Sequence, residues 1–572
     1  RTKRILAKRN GMEYLIFAVA ALLIIVCLMG KGYLDYKQDQ KIFIKKLYEN
    51  YGVLPEKEYK PEQYATISHY FERHKDGFYV DDITWNDLDM DEIFIKMNAA
   101  YSGAGEEYLY YLLRTPCASE EELADRERLI TFFTEHPEER VSCQYHFHKL
   151  GRCGKFSIYD YLEYLDNLGE RNNRSHYLAI LLFLATVLIM FFNLPIGLFA
   201  LVSVLVINNL TYFRERKEIE PYITSFSYIL RLLEAADQIG KLSAKPLKEE
   251  LTLLKTAGSS MNSFRRGSSL IMSAGGNATG NPLDFLMDFL KMWFHFDLIK
   301  FNQMLLTVRS HIGEIDQLLT VLGKMEAMIA IGAYRKSHDY CIPEFTSQRA
   351  LKVEGAFHPL IEDPVSNDFA SEGKSILITG SNASGKSTFL KTIAICAIMA
   401  QTVHTCPAAS YSGCRFRIVS SMSLRDDVRG GSSYYMVEIR ALKRIMDLIS
   451  EGAELPVLCF VDEVLRGTNT VERIAASTEI LKTMAEGNCI CFAATHDIEL
   501  THLLEAVYQN YHFEEQIEKD DIFFSYKILK GRASSRNAIK LLGIMGYEKE
   551  IIGEAEKLAE DFVKTGKWHG LD

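Results

Sequence analysis

Residues 380–387 read Gly380-Ser381-Asn382-Ala383-Ser384-Gly385-Lys386-Ser387, a complete G-x-x-x-x-G-K-[ST] loop. Its flanks restrict what can form around it. The apolar run Ser375-Ile376-Leu377-Ile378-Thr379 leads in as a buried strand. Thr388-Phe389-Leu390-Lys391-Thr392-Ile393-Ala394 leads out as an amphipathic helix. Strand, glycine turn and helix N-terminus together make an anion site, with backbone N–H groups and the helix dipole facing the negative charge. The cradle is expected to run through Ser384, Gly385 and Thr388, with Lys386 reaching the outer phosphates and the Ser387 hydroxyl on magnesium. A nucleoside triphosphate is the expected ligand.

A chain of 572 residues is too long for one ordinary domain, and 48% hydrophobic with 24% charged residues permits a large core. The formal net charge of −10 argues against bulk, non-specific affinity for nucleic acid, so any DNA contact should be local or conditional. The 11 cysteines are scattered without a C-x-x-C pair or metal-ligand spacing, which fits buried thiols in a reducing compartment.

Two stretches carry no charge at all, residues 14–30 and residues 177–213, the second broken near Asn193-Leu194-Pro195. The first is about the minimum length for one membrane span, and the second is long enough for two short spans in a hairpin. Buried core helices are the alternative for the second, but a soluble helix pair normally keeps a polar face. No small-residue cleavage site follows Gly30 before Lys31, so the first stretch reads as an uncleaved anchor. Arg171 and Arg174 precede the hairpin, and Arg214, Arg216 and Lys217 follow it, which places both flanks in the cytoplasm. The first stretch has basic residues on both sides and leaves its own orientation open.

The remaining segments divide by pattern. We expect an N-terminal membrane anchor (1–37), a first helical core part (38–175), a transmembrane hairpin (176–213), a second helical part with long levers (214–343), an α/β domain (344–535) and a C-terminal helical tail (536–572). Residues 258–281, rich in Gly, Ser and Asn, read as a flexible loop, and residues 343–364 as a mixed link.

The α/β region holds more of a nucleotide site. Pro456-Val457-Leu458-Cys459-Phe460-Val461-Asp462-Glu463 is an apolar strand ending in two carboxylates. Asp462 is placed to hold the magnesium shell, and Glu463 to orient or deprotonate the attacking water. The next strand ends in Thr495-His496, at the edge where α/β sheets bind ligands, and His496 could sense the outer phosphate. Between the phosphate loop and the Asp462-Glu463 strand, Gly430-Gly431-Ser432-Ser433 opens a second helix start. One subunit does not need two such anion sites for one nucleotide, whereas two facing subunits would.

Taken together, Gly380 to Thr388, Gly431-Ser432-Ser433-Tyr434-Tyr435-Met436-Val437-Glu438, Asp462 to Thr470 and Ala494-Thr495-His496 resemble the four ATPase signatures of MutS mismatch-repair proteins, in order. His358-Pro359 matches the His-Pro ahead of their phosphate loop, and Tyr526-Lys527-Ile528 through Gly531, Ala538-Ile539 and Gly543 look like their dimerising tail. Asp82-Ile83-Thr84-Trp85-Asn86-Asp87-Leu88 looks like the start of their core domain. With the transmembrane helices read from the charge-free stretches, the resemblance implies an α and α/β protein: a helical core/lever region and an ABC-type ATPase with a parallel-rich sheet. It implies ATP and Mg2+ as ligands and a homodimer with two composite sites. Lys386, Ser387 and Asn382 would bind phosphate and magnesium, Asp462 and Glu463 serve metal and water, His496 senses the outer phosphate, and Ser433 acts in trans. Phe369 is a candidate for stacking on adenine.

The chain departs from the family where mismatches are read. Gly77-Phe78-Tyr79-Val80-Asp81 has the aromatic of a Phe-x-Glu wedge but Val80 where Glu would stand, so the mismatch-reading domain is expected to be absent. Two functions then compete. One is an ATP-gated clamp at the cell membrane, with ATPase and core in the cytoplasm, that binds branched, damaged or mismatched DNA. The other is a membrane mechanochemical ATPase that binds no DNA. Transport across the membrane is disfavoured, because charge-free spans offer no polar path.

Overall fold

The computed structural model describes Cys27 and residues 30–568, apart from 118, 269–288, 382–383, 423–433, 466–467, 519–520, 534–538, 540–541 and 543–545. The expected first span, residues 14–30, lies almost wholly outside the described residues, as do Asn382, Ser433, Gly430-Gly431 and Ala538.

Among the described residues, the regular elements up to Ser337 are all helical. Those that position the site are α1 (Asp82–Asp87), α2 (Gly103–Arg114), α3 (Glu120–Glu135), α4 (Arg174–Phe192), α5 (Leu194–Ile239), α6 (Lys248–Ser260), α7 (Phe296–Ser310) and α8 (Ile312–Ser337). Local chemistry starts them where it should. Ser119 caps α3 by accepting from Glu122 N at 3.2 Å, and Asp81 caps α1 by accepting from Thr84 N at 2.8 Å.

Helix α8 is the spine of the helical region. Leu318, Leu322, Met325, Met328 and Ile331 recur at helical spacing and are wholly buried. Each such side chain contributes about 1.5–3 kcal/mol of burial. Helices α2 and α8 cross unusually closely. A Cβ on Gly105 would lie 2.2 Å from Glu326 Oε2, and one on Gly323 would lie 2.6 Å from Ala104 O. Glu326 uses this proximity to accept from the Tyr101 and Ser102 amides at the start of α2, at 2.6 and 3.1 Å.

The apolar stretch 177–213 forms a helical hairpin. Asn193 breaks it and caps α5, accepting from Ile196 N at 3.3 Å. Both arms are long and apolar enough to cross a membrane, and their side chains mostly point away from the protein, with Phe191 83% and Phe192 87% exposed. Helix α5 does not stop at the end of the apolar stretch. The whole helix is 46 residues long, about 69 Å at 1.5 Å per residue, and its far half is core, with Phe226, Ile229 and Leu232 wholly buried.

After Ser337 the chain becomes α/β. Its strands are β1 (Glu344–Phe345), β2 (Leu351–Ala356), β3 (Asn367–Ser371), β4 (Ser375–Thr379), β5 (Ser410–Gly413), β6 (Arg417–Ser421), β7 (Val457–Asp462), β8 (Cys489–Ala494), β9 (Tyr508–Glu518) and β10 (Asp521–Lys530). Helices α9 (Lys386–Thr402), α10 (Tyr434–Ser450) and α11 (Thr470–Glu486) lie between strands, and α12 (Lys549–Thr565) closes the chain. The main sheet has the order β10-β9-β4-β8-β7-β6, parallel from β9 to β6 with an antiparallel β9–β10 edge. A smaller mixed sheet, β1-β5-β2-β3, lies beside it.

Two expectations need correction. Residues 258–265 are not loop: α6 runs through Gly258 to Ser260, and a short helix spans Asn262–Arg265, because Leu254, Ala257, Met261 and Phe264 are buried. Nor is 343–364 only a link, since β1 and β2 form there by pairing with β5.

Two sets of contacts among the described residues illustrate how the two regions are joined. Helix α1 docks on β6: Thr84 Oγ1 accepts from Ser420 N at 3.0 Å, and Asp87 Oδ2 accepts from Ser420 Oγ at 2.7 Å and Met422 N at 2.9 Å. Asp81 meanwhile pairs with Arg444 of α10. At the far end of α9, Arg335 of α8 makes a bidentate pair with Glu127 of α3 at 2.8 and 2.7 Å, and donates to His404 O at 2.8 Å.

Candidate functional site

The loop after β4 is built as an anion cradle. Gly380 (φ +143°) and Gly385 (φ +103°) take backbone conformations that side chains resist. A Cβ on Gly380 would lie 2.9 Å from Ser384 Oγ and 3.0 Å from Phe513 O. Ser384 Oγ closes the turn on Ser381 O at 2.7 Å. Lys386 is the first residue of α9 and is buried, its Nζ donating to Gly380 O at 2.6 Å and Ser381 O at 2.8 Å. Ser387 and Thr388 are exposed on the same helix start.

The carboxylates converge on this point. Ser387 Oγ donates to Asp462 Oδ2 at 2.5 Å, across from the end of β7. Glu463 follows with a left-handed backbone (φ +59°), and Leu465 repeats it (φ +61°). Such conformations cost about 1–3 kcal/mol each in a residue with a side chain, and persist where the surroundings enforce them. Here Glu463 N donates to Ala494 O at 2.9 Å, and Leu465 N donates to the buried Glu438 Oε1 at 2.5 Å. The turn brings Glu463 Oε1 within 2.9 Å of His496 Nε2 at the end of β8. Thr495 N donates to Ile378 O at 2.9 Å, and Asp497 next to His496 is clamped by Arg473 at 2.9 and 2.7 Å.

A pocket of about 400 Å³ opens beside the loop, lined among others by His358, Ile361, Val365, Thr388, Phe389 and Tyr526. Burial, aided by the Lys391 charge, pushes the His358 imidazole down to about 4, so it is neutral at physiological pH. Phe369 does not line this pocket. It is 4% exposed and packs in the core against Phe389, Phe492 and Tyr511, so the expected stacking role is corrected. Tyr526 lines the pocket. It is 45% exposed, and its ring would lie 3.2 Å from a Cβ on Gly385. A bulge in β10 between Phe524 and Ile528 puts it there, with left-handed backbone (φ +51°). Asn367 pins that bulge, donating to Tyr526 O at 3.0 Å and accepting from Ile528 N at 2.9 Å. Tyr526 to Ile528 thus belong to the pocket side of the sheet rather than to the closing tail.

Of the expected residues, the structure brings together Ser384, Gly385, Lys386, Ser387, Thr388, Asp462, Glu463 and His496. The donor set fits a magnesium–triphosphate group: a glycine cradle, a buried lysine, a hydroxyl–carboxylate pair and a second carboxylate held by an imidazole. Sequence reading missed Tyr526, Asn367 and the role of Glu438. A broken alternation at Ser525-Tyr526-Lys527 is the one local signal for the first.

Residues 376–563 match the family MutS domain V. The chain is 30% identical over 294 residues to "MutS protein homolog 4" of Homo sapiens, covering 48% of this chain and 31% of that protein. It is 30% identical over 246 residues to "DNA mismatch repair protein MutS" of Thermus thermophilus, covering 42% and 29%. The chain thus spans less than a third of the length of these curated relatives. Its α/β region matches domain V of the MutS family, and its similarity to MutS proteins extends over just under half of its own length.

Proposed function

We propose that this chain is a membrane-anchored ATP hydrolase of MutS type, in which ATP binding and hydrolysis at a dimer interface open and close the lever helices. The observation that carries this reading is the pair of contacts at one sheet edge, Ser387–Asp462 at 2.5 Å and Glu463–His496 at 2.9 Å, directly beside the glycine cradle. Ser387 and Asp462 would hold magnesium, which supplies charge neutralisation on the outer phosphates. Glu463 would take the proton of the attacking water, with His496 fixing the carboxylate's direction. Lys386 and the α9 N-terminus would hold the phosphate oxygens. Leu465 N on Glu438 ties this turn to α10, the helix that Ser433 immediately precedes.

ATP turnover by the purified chain is the test. Glu463→Gln should bind ATP and trap a closed dimer without turnover, and Lys386→Ala should lose nucleotide. Normal turnover by Glu463→Gln would overturn the assignment. Mixing Ser433→Ala with Lys386→Ala chains should restore one working site per dimer, and failure to complement would exclude action in trans.

For the substrate of the motion, we propose a DNA-binding clamp of mismatch-repair type, in keeping with the printed name of the Thermus relative. Binding to plain, mismatched and branched duplex across a salt series, with and without nucleotide, decides it. The second reading, mechanical work on the membrane without DNA, is favoured by Arg265. Its guanidinium donates to Leu233 O and lies 4.0 Å from Asp237, so it is already engaged within the fold. The exposed apolar hairpin supports placement in the cell membrane with core and ATPase in the cytoplasm, and resistance of the full chain to carbonate extraction tests that placement.

A further inference from the structure

The hairpin is not the only apolar surface at that end of the molecule. Residues 289–294 are helical, and this helix ends at His295 (φ +55°), where α7 begins. This segment and the start of α7 carry Phe289, Trp293, Phe294 and Phe296. Phe289 and Phe296 are exposed, and Trp293 and Phe294 partly so. The rings make two sets of contacts. Phe289 lies 5.7 Å from Trp293, Phe294 stacks on Phe296 at 5.2 Å, and Phe294 meets Phe183 of α4 edge-on at 4.8 Å. Phe294 and Phe296 therefore continue the exposed face of the hairpin at Phe183, and Phe289 and Trp293 lie on the same segment.

Polar groups fasten it there. Asn208 of α5 donates to Trp293 O at 2.9 Å, which satisfies a carbonyl at the end of that helix. His295 bridges Asn208 O at 3.0 Å and His176 Nδ1 at 3.1 Å. Asp297 accepts from Tyr212 at 2.9 Å and pairs with Arg216 at 3.2 Å. Irregular backbone at membrane depth is tolerated where protein satisfies its polar groups, and these contacts do so.

The depth follows from helix rise. Phe183 lies nine residues beyond Arg174, and Asn208 six residues before Arg214, so Trp293 and Phe294 lie about 9–13 Å inside the exposed arginines at 1.5 Å per residue. Amphipathic elements settle about 5–10 Å into the boundary between headgroups and acyl chains, and tryptophan is enriched there. We infer that residues 289–296 are a second lipid-contacting element, seated in the cytoplasmic headgroup–acyl boundary and joined directly to the lever helices α7 and α8. The inference rests on the membrane reading of the hairpin.

Depth-dependent quenching of the full chain in vesicles tests both. Lipids brominated at a shallow or a deep acyl position serve as the probe. Trp85 is buried in the core and remains as a constant background, while Trp568 is changed to Phe. The Trp293 signal is the difference made by Trp293→Phe. A second variant, Trp293→Phe with Leu184→Trp, reports on the middle of α4, where Leu184 is 53% exposed. The expected result is loss of Trp293 emission mainly to shallow bromines, and of the Leu184→Trp emission mainly to deep ones. Quenching of the hairpin reporter with no loss at Trp293 overturns the inference and means that protein covers the aromatic face. Quenching of Trp293 by aqueous iodide in vesicles, but not by brominated lipid, overturns it in favour of water. Absence of quenching at both positions overturns the membrane reading itself.

Discussion

Glu127 offers a direct test of how the α/β region is fixed to the spine. Its carboxylate accepts two hydrogen bonds from Arg335 at 2.8 and 2.7 Å, and contacts His404 Nδ1 at 2.9 Å. Burial pushes the Glu127 carboxyl up, but the hydrogen bonds and charges of His404 and Arg335 outweigh it and hold the group at about 2, against an ordinary 4.5. Each pH unit of that depression corresponds to about 1.4 kcal/mol, so the folded state gains about 3 kcal/mol when Glu127 ionises. The gain is fully present above about pH 4.5, where the unfolded carboxyl is ionised, and is lost as pH falls through about 2. Removing the charge in Glu127→Gln also leaves Arg335 largely buried without its anion. Complete loss of a buried partner costs about 3–5 kcal/mol. Here the Glu127 side chain is 27% exposed, and Arg335 keeps Thr405 Oγ1 at 2.9 Å and His404 O at 2.8 Å. A cost of about 2–3 kcal/mol at pH 7 is therefore expected. Hydrogen exchange at the end of α8 and around residues 402–406 reads this locally, which matters in a chain too large for two-state unfolding. The variant should exchange faster there by about 30- to 150-fold, and the acid-induced loss of protection between pH 4.5 and 2 should be reduced. Unchanged exchange in Glu127→Gln would refute the reasoning and mark the joint as solvent-weakened.

Glu326 should behave in the opposite sense. Burial raises its carboxyl to about 7, only partly offset by the Ser102 hydroxyl and the Tyr101 and Ser102 amides, so stability should fall as pH rises from about 4.5 to about 7. Glu326→Gln should flatten that limb in a urea-midpoint titration and be the more stable form at pH 8. Tyr526→Ala should weaken nucleotide binding by about 1–3 kcal/mol, the range for stacking a base on an aromatic ring, while Tyr526→Phe should not; a calorimetric titration separates them. Gly323→Ala should lower thermal stability by about 1–3 kcal/mol through overlap with Ala104 O.

The phosphate loop was readable because its geometry is local: two glycines, a lysine and a hydroxyl within eight residues dictate the turn. The Asp462–Glu463 strand end was readable for the same reason. What fixes Glu463 is not local. Its left-handed backbone depends on Ala494 O in the neighbouring strand, and the second such residue, Leu465, depends on Glu438 in α10. Tyr526 was hidden in the same way, since the bulge that exposes it is pinned by Asn367 from another sheet. The stacking role that the resemblance implied for Phe369 fails because the period of β3 turns Asn367, Phe369 and Ser371 to the buried face. The helix through Gly258 shows tertiary burial of Leu254, Ala257 and Met261 overriding a poor local propensity.

The unbroken course of α5 from Leu194 to Ile239 sets a rule for how this architecture can change length. Each residue inserted between Phe213 and Phe226 would advance the hairpin by about 1.5 Å and turn it by about 100° about the helix axis. A single insertion would swing Asn208 away from Trp293 O while leaving Phe226 seated in the core. An insertion of seven residues would return the face to within about 20° of its starting direction. The stretch behaves as a screw thread, in which relatives that keep both ends working should differ by near-whole double turns and not by arbitrary lengths.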